Sequence, residues 1–251
     1  MFYGGNMSTR KVRSTLGILK NKLFYERYSF FLEKNKKRLA NLYDIHHGQR
    51  CFLLGTGPSI NTVDLNLMCD EITIGQNMIY KKHFKTNYYF IAGYRILENH
   101  YDDICYLPTN MFYACSAGRW YLKNKIKDKP SDNNPYILPD FGEISVWNDI
   151  STDITKGVRG GSAIACISLQ ALYFMGFKEV ILLGFDCNYT KPSGEYFYTN
   201  KTSTYTRDWN KVFNNYTTIN NYYEADGRKI YNATKDSTLD VFEKKTLEDI
   251  L

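Results

Sequence analysis

The sequence predicts an α/β protein built on a doubly wound, mostly parallel sheet. Three observations carry that expectation. Cys51–Leu54 and Val180–Leu183 are short, wholly apolar runs, as strands buried on both faces require. Each run ends in a glycine, Gly55 and Gly184. Before the second run, Ala163–Met175 is apolar on nearly every side and leads through Gly176 into it. That helix–turn–strand unit is half of a crossover between parallel strands.

In chain order, residues 8–45 read as one or two basic amphipathic helices. Leu16, Leu19, Leu23 and Phe24, then Tyr28, Phe31 and Leu32, recur at helical spacing among Lys and Arg. Such a segment packs on the body or a partner subunit, or lies on an anionic membrane surface. Gly48 marks its end, and Arg50 opens the body. After the first strand, Ile60–Leu67 holds a first helical turn. Ile72–Ile74 and Tyr88–Ala92 read as strands, with Ile104–Tyr106 and Met111–Cys115 as weaker ones. Residues 123–140 are rich in Lys, Asp, Asn and Pro and read as an exposed loop. Gly176 is placed to cap the buried helix.

Residues 188–204 are polar and tyrosine-rich, and a stretch this long without a core signal is usually a lid or binding loop. Trp209, Val212, Phe213, Tyr216 and Ile219 fit an amphipathic helix. Lys229–Asn232 reads as a final strand and Leu239–Leu251 as a polar tail with a short helix. The expected division is a basic helical segment over 1–48, a nucleotide-binding α/β domain over 49–187, and a lid, helix and strand over 188–251 packed on that domain.

The charge is unevenly placed. Residues 8–50 hold 11 Lys/Arg and 3 Asp/Glu, a local 11 − 3 = +8, so the rest of this +6 chain carries 6 − 8 = −2. The basic character belongs to the N-terminal segment, which argues against nucleic acid as the ligand of the body. Six cysteines, none in a C-x-x-C pair, sit mostly in apolar runs and read as reduced thiols of a cytoplasmic protein. Met1–Asn6 is not followed by a leader-like apolar run, and no stretch approaches the roughly 20 apolar residues of a membrane span. The 22 Tyr and 15 Phe exceed what a core needs. A tyrosine ring with its polar tip suits stacking on sugars and bases, although an AT-rich genome produces the same bias.

The residues that could carry chemistry gather at strand ends. Gly55, Thr56, Gly57, Pro58 and Ser59 form a turn in which glycines let backbone N–H groups approach a phosphate. Ser59 can donate to that phosphate or cap the next helix. The turn lacks the third glycine of a dinucleotide fingerprint and the Gly-Lys-Ser/Thr of a Walker loop. In an open parallel sheet, ligands collect at C-terminal strand ends. Asn77 and Asp186 stand at two such ends, and Gly160-Gly161-Ser162 opens a helix. Asn77 reads as a turn residue or as a partner of phosphate, ribose or base. Asp186 reads as a cap, or as a ligand for a ribose hydroxyl, a metal or a substrate. No zinc site is legible.

Four blocks together resemble a known group: Leu-Leu-Gly-Thr-Gly-Pro-Ser (53–59), Gly-Gln-Asn-Met (75–78), Gly-Gly-Ser-Ala-Ile (160–164) and Gly-Phe-Lys-Glu-Val-Ile-Leu-Leu-Gly-Phe-Asp (176–186). In that order they are similar to the bacterial sialyltransferases of glycosyltransferase family 42, over roughly residues 50–235. They also resemble the domain shared by motility accessory factors and archaeal-type 6-hydroxymethylpterin diphosphokinases. The first resemblance implies a GT-A-like variant of the Rossmann sheet and a CMP-sugar donor. Gly55, Gly57, Ser59, Asn77, Gly160, Gly161 and Ser162 would hold the nucleotide, with Thr56 where those enzymes usually have Asn. Tyr189, Tyr196 and Tyr198 are the nearest matches to the tyrosines that assist the departing phosphate. Those enzymes use a C-terminal histidine as base, but no histidine follows His100 here. Asp186 or Glu195 would then take the acceptor proton.

The expected function is transfer of sialic acid or a related acid sugar from a CMP-sugar to a cell-surface glycan or glycolipid. It would proceed without a required cofactor, in the cytoplasm or peripherally on the inner face of the membrane through residues 8–45, in a monomer or a homo-oligomer. The second resemblance implies an Mg²⁺-dependent diphosphotransferase instead. A non-catalytic nucleotide-sugar-binding protein is the third reading.

Overall fold

A computed structural model describes residues 7–126, 134–187, 196–198 and 208–251. Its centre is the pair of apolar runs that the sequence marks. Strand β1 (Arg50–Leu54) lies parallel to the later strand Glu179–Leu183, with Leu54 beside Leu183. From β1 the sheet grows outward in one direction through β2 (Thr73–Gln76), β3 (Tyr88–Ile91), β4 (Asn110–Ala114) and β5 (Tyr136–Leu138). A small second sheet pairs β6 (Asp140–Glu143) with β7 (Val158–Gly160). The chain then returns to the other side of β1 as β8 (Glu179–Leu183), followed by β9 (Lys229–Asn232) and β10 (Glu243–Lys244). All paired strands are parallel. The expected doubly wound parallel sheet is therefore present, with eight strands in the order β10-β9-β8-β1-β2-β3-β4-β5.

Alternation along the central strands divides the core in two. Cys51 and Leu53 of β1, with Val180 and Leu182 of β8, face one cluster. Phe52 and Leu54, with Ile181 and Leu183, face the other. A strand apolar at every position is what covering both faces demands. The first cluster is roofed by α6 (Ile164–Phe174) and α7 (Trp209–Ala225). The second is roofed by α3 (Tyr94–Ile104) and α4 (Cys115–Asn124). A four-residue turn of helix, α5 (Ile144–Trp147), joins the small sheet to the body. Gly176, at φ +89°, ends α6 as expected, where a side chain would strain the backbone.

The basic N-terminal segment forms α1 (Met7–Glu26) and α2 (Ser29–Ala40). Phe31, Asn35 and Leu39 of α2 are buried. Asn35 donates through Nδ2 to the Ile137 carbonyl at 2.8 Å and accepts from the Ile137 N–H at 2.9 Å. Helix α1 is held through Asn21 and Tyr25, both hydrogen-bonded to Asp140, which also pairs with Arg119.

Several sequence expectations need correction. Ile104 ends α3 instead of opening a strand, because residues 94–104 bury Leu97 and Ile104 on one helical face. Within 123–140, Ile137 and Leu138 are fully buried in β5. Residues 58–68 make two short 3₁₀ turns, Pro58–Thr62 and Leu65–Met68. Lys229–Asn232 is not the last strand, since β10 pairs beside it. The 239–251 tail has no helix and contributes Leu239 and Phe242 to the core. The tyrosine excess has a structural use as well. Tyr89, Tyr113 and Tyr223 are almost wholly buried, and the Tyr223 hydroxyl donates to the Leu169 carbonyl at 2.7 Å. Among the described residues, no helix is long and apolar enough to cross a membrane.

Candidate functional site

Strand order decides where a ligand can sit. The chain runs outward from β1 on one side and returns through β8 on the other, so the connection after β1 packs on one face of the sheet and the connection after β8 on the other. This switch point opens a crevice at the C-terminal edge of a doubly wound sheet. A cleft of about 1060 Å³ occupies that position.

The glycine turn after β1 forms one wall, although its glycines serve another purpose than the sequence suggests. The Gly55 N–H donates to Leu183 O at 2.7 Å, and the Gly57 N–H to Gly184 O at 2.9 Å. A Cβ on Gly55 would stand 2.5 Å from Gly184 O, and one on Gly57 would stand 1.8 Å from Asp186 Oδ2. These two N–H groups are committed to the β8 loop, and the glycines are needed because that loop passes so close. Thr56 lies between them on the cleft wall. Its carbonyl accepts from the Phe197 N–H at 3.1 Å, which brings Tyr196 and Tyr198 to the cleft, their rings stacked at 5.3 Å.

Ser59 and Asp186 meet each other. The Ser59 N–H donates to Asp186 Oδ1 at 2.9 Å and its hydroxyl to Oδ2 at 2.7 Å. Asp186 lines the cleft, whereas Ser59 stands behind it as the group that orients the carboxylate. Each carboxylate oxygen keeps further accepting capacity beyond these two bonds.

Asn77 stands at the end of β2 with a left-handed φ of +48°. Its N–H bonds Phe90 O at 3.0 Å, and its carbonyl accepts from the Tyr89 hydroxyl at 2.6 Å. The backbone is thus fixed from both sides. Its side-chain Oδ1 is buried and has no partner among the described residues. A buried acceptor left empty costs about 1–3 kcal/mol, and the residue that carries it lines the cleft. Gln76, just before it, donates to Ser168 Oγ at 2.8 Å and ties β2 to α6.

The opposite wall is the turn Gly160-Gly161-Ser162 leading into α6. Ser162 has φ +63° and is exposed. A Cβ on Gly161 would stand 2.3 Å from Cys166 Cβ, so this turn is closed tightly onto the helix. Asn215 of α7, fully buried, donates to Gly161 O at 2.8 Å.

Eleven of the residues singled out in the sequence therefore share the cleft: Gly55, Thr56, Gly57, Pro58, Asn77, Gly160, Gly161, Ser162, Asp186, Tyr196 and Tyr198. Tyr189 and Glu195 lie outside the described residues. Several lining residues escaped the sequence reading: Gly93, Tyr94 and Arg95 after β3, Cys115 and Ser116 after β4, and Trp209 and Tyr216 of α7. Applying the strand-end rule to β3 and β4 as well would have found the first two groups. Arg95 and Asp186 are the charged side chains on the wall among the described residues. Among the described residues, no group of three His, Cys, Asp or Glu stands together as metal ligands.

No protein-family model matches the chain, and no curated protein matches it. Among solved structures, the chain is similar to the sialyltransferase CstII from Campylobacter jejuni, solved in complex with a substrate analogue, cytidine-5′-monophosphate. The match has a TM-score of 0.50 at 15% identity and covers 79% of this chain and 85% of that one. The likeness is one of fold: this chain has a sialyltransferase-like, Rossmann-like α/β architecture.

Proposed function

We propose that this protein is a glycosyltransferase that takes a CMP-linked acid sugar as donor and transfers the sugar to a glycan hydroxyl. The observation that carries the reading is the cleft at the sheet's switch point, where Asn77, whose buried Oδ1 has no partner among the described residues, shares the wall with Asp186, Tyr196 and the Gly160-Gly161-Ser162 turn. An amide oxygen there suits a ribose hydroxyl or the amino group of a cytosine. The fold shared with a sialyltransferase solved with CMP supports the same ligand class.

In this reading the glycosidic carbon–oxygen bond to phosphate breaks and CMP leaves with the bond's electron pair. The acceptor oxygen bonds to the sugar carbon, and its proton passes to Asp186, oriented by the two donors from Ser59. The hydroxyls of Tyr196 and Tyr198, both on the cleft wall, donate to the charge that develops on the phosphate. Arg95 faces the carboxylate that an acid sugar carries.

Calorimetry with CMP, followed by incubation with CMP-sialic acid and a glycan acceptor, tests the reading. The expected result is CMP binding together with donor hydrolysis or transfer, and Asp186→Asn is expected to lower turnover by roughly 10²-fold or more. Absence of both CMP binding and turnover would sink the reading.

A further inference from the structure

Helix α1 has two faces. Asn21 and Tyr25 point inward, onto Asp140 of β6. On the opposite side Leu16, Leu19 and Leu23 stand 55%, 52% and 55% exposed. At 3.6 residues per turn these three leucines form one stripe, with Lys20 on one flank and Lys22 on the other. Exposed leucines in a continuous row are costly in water, and a row flanked by lysines on both sides is the pattern of a helix lying in a bilayer interface. There the leucines enter the acyl boundary while the lysine stems reach up to the headgroups.

We propose that this outer face of α1 docks the protein on an anionic lipid surface. Charge selects the occupant. The segment 8–50 carries +8 and the remainder −2, so an anionic bilayer attracts this end of the molecule. A second copy presenting the same face would bring two strongly basic segments together, which opposes self-association. The anchoring reaches the cleft: α1 rests on β6, and β6 pairs with β7, whose last residue is Gly160 on the cleft wall. An acceptor carried on a lipid would then be presented beside the site. The docking itself does not depend on what the cleft transfers.

Sedimentation of the full chain with phosphatidylcholine vesicles, with and without phosphatidylglycerol, tests this. Binding is expected only to the phosphatidylglycerol vesicles, and it should weaken with salt. The triple substitution Leu16→Ser, Leu19→Ser, Leu23→Ser should lower the partition by roughly tenfold or more. Lys20→Gln with Lys22→Gln should lower it by about fivefold to thirtyfold, at about 1 kcal/mol for each basic side chain. Circular dichroism should show both variants folded, since these side chains point away from the core. Vesicle binding that survives the leucine substitutions would overturn the proposal. So would a concentration-dependent dimer in solution that the same substitutions abolish.

Discussion

Asn77 combines a left-handed backbone with a buried oxygen that has no partner, two costs at a single position. The cheapest way to separate them is Asn77→Gly, which keeps the backbone conformation accessible and deletes the oxygen. Relief of the unpaired acceptor, about 1–3 kcal/mol, then outweighs or balances the roughly 0.4–1 kcal/mol of extra unfolded-chain entropy. In urea, the variant is expected to be at least as stable as the parent, while its affinity for CMP drops roughly tenfold. Unchanged affinity would remove Asn77 from the site. Gly57 predicts the reverse pattern. Its Cβ would collide with Asp186 and Gly184, so Gly57→Ala should cost about 1–3 kcal/mol and weaken CMP binding as well. Gly17, with open space around it on α1, is the control, since alanine there should stabilise by up to about 1 kcal/mol.

His46 supplies a pH test on the same scale. It stacks on Phe177 at 4.4 Å and bonds the Tyr88 hydroxyl at 2.7 Å, and burial holds its pKa below the usual 6.5. Above that value both folded and unfolded forms are neutral and nothing is lost. As pH falls below it, the unfolded chain takes up the proton first, so stability declines until the folded pKa is passed. Thermal melts between about pH 7 and pH 5 should show this decline, and His46→Gln should flatten it.

At the level of elements, the edge strand β5 is protected by a side chain. The Asn35 amide makes the two hydrogen bonds to Ile137 that a neighbouring strand would make, so α2 closes the edge of the sheet. Asn35→Leu should cost about 1–3 kcal/mol, because Ile137 loses both partners in a buried place. It should also raise the tendency to aggregate, measured by light scattering during a thermal ramp. The same element shows which parts of the fold were legible. Central strands announce themselves as solid apolar runs because both faces are covered. A three-residue edge strand such as β5 and a two-residue one such as β10 offer too few positions for any period to emerge. The small sheet was hidden for a related reason: β6, Asp-Phe-Gly-Glu, is half-buried throughout and alternates nothing.

Across the whole molecule, the glycine blocks were legible because close loop approaches leave only one residue type that fits. Their reason was less so. The contact between the β1 and β8 loops joins residues more than a hundred positions apart, and no local pattern reports it. Asp186 illustrates the gap. Its position at a strand end was readable, but its two bonds from Ser59 follow only from the strand order.

The adjacency of β1 and β8 also sets a schedule for synthesis. Leu54 pairs beside Leu183, so 183 − 54 = 129 residues must be added after β1 leaves the peptidyl-transferase centre before its partner exists. At roughly 5–20 residues per second that interval is about 6–26 s. Throughout it, one side of the buried, apolar strand β1 has no neighbour, although β2 to β5 can already assemble on the other. The nascent chain is therefore expected to require a chaperone's cover over that open edge, and the full-length protein to refold slowly when diluted from denaturant.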